Sequence, residues 1–211
     1  MGGRKTLRVG LAVAAILVAG SAAVAQGTGK VIKLVVAPQG NEARYRVREQ
    51  LAGVDLPNDA VGKTSRVEGG IAITGDGKVL SDESRFTIHL ASLTSDQQMR
   101  DNFIRRNTLQ TEQFATAVFV PKEIRGAKFP LRNGELKFQL VGDLTIRGVT
   151  KEVTWDVTGK VDKASVTGEA KTQFTFADLQ MEKPRVRRVL SVDDDIKLEY
   201  TFFLVPPPAI N

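Results

Sequence analysis

The 211-residue chain has no cysteine and only one histidine, and these two gaps remove a good deal of chemistry. Without a thiol there is no disulfide, no thiolate metal ligand and no lipid-modified lipoprotein cysteine. With a single imidazole, His89, the usual zinc and copper sites lack ligands, and a Ser-His-Asp triad has only one position around which to form. His89 lies between Ile88 and Leu90 on an alternating run, so it faces away from Phe86, Ile88 and Leu90 and reads as a surface residue. Carboxylates do not fill the gap. Asp193, Asp194 and Asp195 are consecutive and lack the alternate spacing of a calcium loop, so they read as a solvated turn. Glu49 and Asp55 flank a loop, and no second carboxylate can be placed opposite either. Neither an enzyme nor a cofactor is expected.

What is present begins with the N-terminus. Arg4, Lys5 and Arg8 precede an apolar stretch from Val9 to Val18, followed by small residues ending in Ala23-Val24-Ala25. That is the layout of a signal peptide cleaved before Gln26, and it places the protein outside the cytoplasm, in the periplasm or beyond. The alternative is an uncleaved anchor, because Val9 to Ala25 is close to the ~17-residue minimum for crossing a bilayer. Without residues 1–25 the chain keeps 27 basic residues against 24 acidic, a net charge of +3 in place of +6. This falls short of the strongly basic footprint of a nucleic-acid binder, and the 186 residues suit a single domain.

From Lys30 to Val36 a β-branched run precedes Pro38-Gln39-Gly40-Asn41 and reads as a leader, residues 26–42. The main domain is expected over 43–205, with 206–211 as a Pro-rich tail. Within the domain, period-two alternation recurs. Leu136, Phe138, Leu140, Leu144 and Ile146 interleave with polar residues over eleven positions, roughly 35 Å of strand at about 3.4 Å each. Similar stretches run from Arg66 to Thr74, Arg85 to Leu90, Val149 to Val161, Val166 to Phe176 and Ile196 to Leu204. Asp76-Gly77, Asn133-Gly134 and Asp162-Lys163-Ala164 supply hairpin signals. Only Ser95 to Arg106 leans helical: Ser95 can cap, Gln98 sits at the capping-box position, and Met99, Phe103 and Ile104 fall on one side. The fold class predicted is therefore all-β, an antiparallel eight-stranded barrel with one short helix or helical loop.

Inward parity collects Tyr45, Ile71, Phe86, Ile88, Leu90, Phe119, Phe138, Leu140, Leu144, Trp155, Val157, Phe174, Phe176, Tyr200 and Phe202, with Phe103 and Ile104 pressing in from the helical loop. Gly69, Gly142, Gly168 and Ala170 share that parity and would open space beside the rings. An eight-stranded barrel can be filled by its side chains or can hold one small ligand, and the pattern alone is compatible with both. One reading is thus a ligand chamber; the other is a surface interaction module with a solid core. Arg185, Arg187 and Arg188, with Lys183, form a basic cluster suited to a phosphate head group or a membrane surface; aromatic interleaving for single-stranded nucleic acid is missing there. The pattern does not set the oligomeric state.

The order of several motifs resembles the YceI-like family. They are Ala43-Arg44-Tyr45-Arg46-Val47; Ser95-Asp96 with Met99-Arg100-Asp101-Asn102-Phe103-Ile104; Leu109-Gln110-Thr111 leading to Phe114 through Phe119; and Gly142-Asp143-Leu144-Thr145-Ile146-Arg147-Gly148-Val149-Thr150-Lys151. The resemblance covers roughly Ala43 to Val205. It implies a lipocalin-like barrel that threads an isoprenoid or similar amphiphilic lipid through its interior, with no cofactor and no turnover. Physically, the Arg100-Asp101 pair fits a role that orders the helical loop over one barrel end, and Leu144 to Thr150 reads as a strand with a tight turn at Gly148. The chain departs from the family pattern at Asn41-Glu42, where a His-Ser is frequent, and at Phe114-Ala115, where a Tyr-Pro is frequent.

Overall fold

A computed structural model describes residues 30–208; the signal-sequence reading and the last residues of the tail fall outside them. Eleven strand segments form one sheet: β1 Ile32–Val36, β2 Glu42–Leu51, β3 Asn58–Thr64, β4 Val67–Ile73, β5 Arg85–His89, β6 Thr116–Arg125, β7 Gly134–Ile146, β8 Val149–Asp162, β9 Ser165–Thr175, β10 Val189–Val192 and β11 Asp195–Val205. Three pairs of segments are single staves broken by a kink. β1 and β2 both lie along β11, β4 and β3 lie along β1 and β2 in turn, and β10 continues β11 along β2. Eight antiparallel staves result. They follow one another in chain order, and the β1–β11 pairing (Val35 opposite Val205) closes the barrel.

Closure corrects the leader assignment. Ile32–Val36 is a barrel strand, and Leu34 is buried in the core. A run of β-branched residues next to an open edge lowers its free energy by pairing, and without β1 the barrel would expose the edges of both β4 and β11. The break between β1 and β2 is held by Asn41. This buried side chain donates to the Ala37 carbonyl (2.8 Å) and accepts from the Tyr200 hydroxyl (2.9 Å) and the Phe203 amide (3.0 Å). Asn41→Ala orphans these buried groups, and a loss of about 3 kcal/mol in unfolding free energy is expected; urea denaturation measures it, and a loss under about 1 kcal/mol would mean that the kink is held by the strands alone.

The β7–β8 turn forms as expected. Ile146 pairs with Val149 across Arg147 and Gly148, both with positive φ (52° and 73°), as a two-residue hairpin turn of the primed type requires. The hairpin expected at Asn133-Gly134 does not form: β6 ends at Arg125 and β7 begins at Gly134. The longer loop is needed because Phe129 and Leu131 fold back into the barrel mouth on that side.

The helix spans Gln98–Phe103 and continues as a wider turn through Thr108, closed by the Leu109 amide on the Ile104 carbonyl (2.8 Å). Ser95 does not cap it. Instead the buried Asp101 carboxylate turns back to accept the Ser95 amide (2.9 Å) and hydroxyl (2.6 Å), which pins the segment at its start. Met99 lies beyond the barrel lip, 75% exposed.

At the same end, Asp178 accepts hydrogen bonds from Lys151 and from the Thr175 amide (2.8 Å), which hold its carboxyl down at about 2, below the ordinary 3.8. A depressed folded-state value contributes stability above the unfolded value, and the contribution is lost as pH falls through the folded one. The urea midpoint should therefore decline between about pH 4 and pH 2, and Asp178→Asn should flatten that part of the profile; an unchanged slope in the variant would assign the acid sensitivity elsewhere.

Candidate functional site

The barrel has two ends. The narrow end carries the 74–84 and 126–133 loops and the β8–β9 turn; the wide end carries the 52–57 loop, the helical segment, the Arg147-Gly148 turn and the 176–188 loop. Between them lies an inner cavity of about 180 Å³ with an almost wholly apolar wall. Ile71, Phe86, Ile88, Phe119, Phe138, Leu140, Leu144, Trp155, Val157, Tyr200 and Phe202 line it, and Phe129 and Leu131 floor it. A second cavity of about 690 Å³ opens at the wide end, lined by Phe103, Ile104, Phe174 and Phe176, among others. Tyr45, Leu90, Leu93, Ile146 and Leu198 belong to both walls, so the two spaces are neighbours. Every inward side chain named from the alternation thus lies on one chamber wall or the other, and the interior is not solid.

The space is not opened by the glycines. A side chain at Gly142 would strike the Phe119 ring (2.7 Å), and one at Gly168 the Phe202 ring (2.8 Å). Each ring lies across the neighbouring strand's glycine, as close packing favours. Gly69 abuts the Arg85 carbonyl. Ala170 and Ala117, both buried, are small side chains on the inner wall. Aromatic edges rigidify that wall: Phe119 meets Trp155 edge-on (centroids 5.8 Å, 65°), and Phe86 meets Tyr200 (6.3 Å). Burial pushes the Tyr45 and Tyr200 hydroxyls well above the ordinary tyrosine range, so both are neutral donors. The Tyr200 hydroxyl is already used by Asn41.

The wide mouth holds a buried charged pair. Glu49 and Arg100 are 8% and 13% exposed and 2.7 Å apart, and Arg100 also binds Asp96. Burial opposes the Arg100 charge, but the two carboxylates outweigh it and hold the guanidinium above the usual range. Arg100 thus ties the helical segment to β2, while Asp101 ties it to Ser95. The sequence reading set Glu49 at the flank of a loop and not in the interior, although Tyr45, Val47, Glu49 and Leu51 share one parity, a signal that would have placed it inside. Of the basic cluster, Arg187 and Arg188 line the mouth, and Arg185 lies outside it. Asp193, Asp194 and Asp195 are exposed, and among the described residues no group of three or more His, Asp or Glu side chains is placed to hold a metal.

A family model described as YceI-like domain matches residues 35–203. The chain belongs to the YceI-like domain family. Solved structures share this YceI-like fold at low identity. A polyisoprenoid binding domain from Saccharophagus degradans, described as implicated in plant cell wall breakdown, superposes with a TM-score of 0.60 at 10% identity, covering 84% of this chain and 100% of that one. BcnA of Burkholderia cenocepacia gives 0.58 at 17%, covering 77% and 95%. The YceI protein of Campylobacter jejuni gives 0.58 at 19%, covering 75% and 91%. No curated protein matches this YceI-like chain.

Proposed function

We propose that this YceI-like protein is an exported lipid-binding protein that holds an isoprenoid or similar amphiphile in its barrel and acts as a carrier or scavenger. The observation that carries the reading is the apolar inner cavity with a larger cavity adjoining it at the wide end, the two sharing Tyr45, Leu90, Leu93, Ile146 and Leu198 in their walls. An empty apolar cavity forgoes contacts that a hydrocarbon tail would restore, and water gains little there. A 15-carbon prenyl segment at ~0.8 kcal/mol per buried carbon is worth on the order of 12 kcal/mol before ordering costs. Micromolar binding needs about 8 kcal/mol, so the wall suffices without a specific anchor. A polar head would then lie at the wide mouth, near Tyr45, Glu49 and Arg100, with Arg187 and Arg188 at its rim. Export is supported by the Arg4-to-Ala25 pattern, and the description of the Saccharophagus domain supports the ligand class.

Native mass spectrometry of protein recovered from the exporting cell tests both parts. The expected spectrum shows a mass beginning at Gln26, with an apolar adduct that solvent extraction releases. An interior found empty in every preparation would end the carrier reading.

A further inference from the structure

Six large apolar side chains stand exposed among the described residues, and five of them, Val54, Leu56, Met99, Val186 and Leu190, surround the wide mouth. Exposed hydrophobics scattered singly are ordinary, but a ring of them around one opening marks an interaction surface. They come from three separate segments. A backbone bond from the Ala52 amide to the Arg188 carbonyl fixes two of these against each other, and one from the Val189 amide to the Val186 carbonyl closes the turn that carries Val186, both at 2.9 Å. The apolar tips are therefore presented by closed turns.

Charge distinguishes what this rim would meet. Residues 52–57, 95–108 and 181–190 carry seven basic side chains against four acidic, and Asp193, Asp194 and Asp195 follow at the same end. Asp96 is bound by Arg100, Asp101 is buried under Ser95 and Asp194 faces Lys183, so the charge that marks the rim is carried by its arginines. Arg185, Arg187 and Arg188 flank Val186 and have no ion-pair partner among the described residues, and they stand together within four positions of one loop. Alternating apolar tips and free arginines match the two layers of a lipid interface, acyl chains below and phosphates above.

We propose that the wide rim docks on a bilayer bearing anionic headgroups, with the apolar tips entering the interface and the arginines meeting lipid phosphates, so that the chamber mouth faces the acyl layer. Its use, passing an amphiphile between bilayer and chamber without crossing water, rests on the lipid-binding function proposed above. The docking itself does not.

Vesicle flotation tests it, with every protein in the same N-terminal form. Equal parts of phosphatidylglycerol and phosphatidylcholine are compared with phosphatidylcholine alone. The wild type should partition more strongly onto the anionic vesicles. Replacing Arg185, Arg187 and Arg188 together by Gln should weaken that partition roughly a hundredfold, at about five-fold per arginine. Val186→Asp with Leu190→Asp should reduce binding to both vesicles; Leu190 is 68% exposed, and the fold is checked by thermal melting. Removing the same charge from the narrow end, as Lys128→Gln, Arg132→Gln and Lys163→Gln, should change nothing. An equal loss from the narrow-end triple would overturn the proposal in favour of net charge. Indifference to the Val186 and Leu190 changes would overturn it in favour of adsorption by charge alone, with no apolar entry into the interface. Extracting the bound amphiphile from the same samples separates the two ideas: a filled chamber in protein whose rim variants float unchanged leaves the carrier standing and removes the docking.

Discussion

Arg100→Met is expected to lower the unfolding free energy by about 3–5 kcal/mol, the largest loss from any single change considered. The reason is the charge left behind: Glu49, 8% exposed on the inward face of β2, would keep a carboxylate in an apolar wall with its partner gone. Coulomb attraction between buried ions roughly balances their desolvation, so the pair as a whole is not a strong source of stability. The double variant Arg100→Met with Glu49→Leu should therefore recover most of what the single change loses. Urea denaturation of the four proteins in the cycle gives the coupling directly. If the double variant is as unstable as the single one, Arg100 acts by packing the helical segment and not by neutralising Glu49. Ligand retention should also separate the two: the double variant keeps the fold but presents an apolar mouth, so an amphiphile with a polar head should leave faster.

Ala170→Leu should cut retention of the bound amphiphile at least about tenfold while leaving thermal stability within about 2 kcal/mol of the wild type. Ala170 stands between Val157 and Tyr200 on neighbouring strands, with its side chain in the inner cavity. Three added carbons enter space that is already open, so the usual penalty for overpacking is offset by dispersion attraction to the surrounding wall. A functional loss without a loss of stability is a signature that a filled core cannot produce, since overpacking a solid interior would destabilise it. Extraction and quantification of bound lipid from wild type and variant, beside their melting curves, gives the answer. A variant that unfolds easily yet retains its lipid would contradict the chamber as the binding place.

Much of the barrel was legible because strands write their two faces into alternate residues. Leu136 to Ile146 and Ile196 to Leu204 show the period plainly, and the Arg147-Gly148 turn follows from residues that tolerate positive φ. What stayed hidden depended on partners distant in sequence. Ile32–Val36 reads as a leader until β4 and β11 are seen on either side of it. Asn133-Gly134 carries the local signal of a tight hairpin, yet Phe129 and Leu131 draw the preceding loop into the barrel and override it. Ser95 has the chemistry of a helix cap, but it stands two residues before the N-cap position, where its hydroxyl donates to Asp101 and accepts from the Gln97 amide.

By itself, the sequence determined the family, the antiparallel strands and which side chains face inward, because side-chain parity along a strand is a local property of the backbone. Only the tertiary structure decided that the interior is hollow, that Phe119 and Phe202 fill the places of two glycines, and that Glu49 and Arg100 meet at the mouth. Whether facing walls touch depends on the distance between strands far apart in the chain and on which way each ring swings, and neither is encoded in the order of residues along one strand.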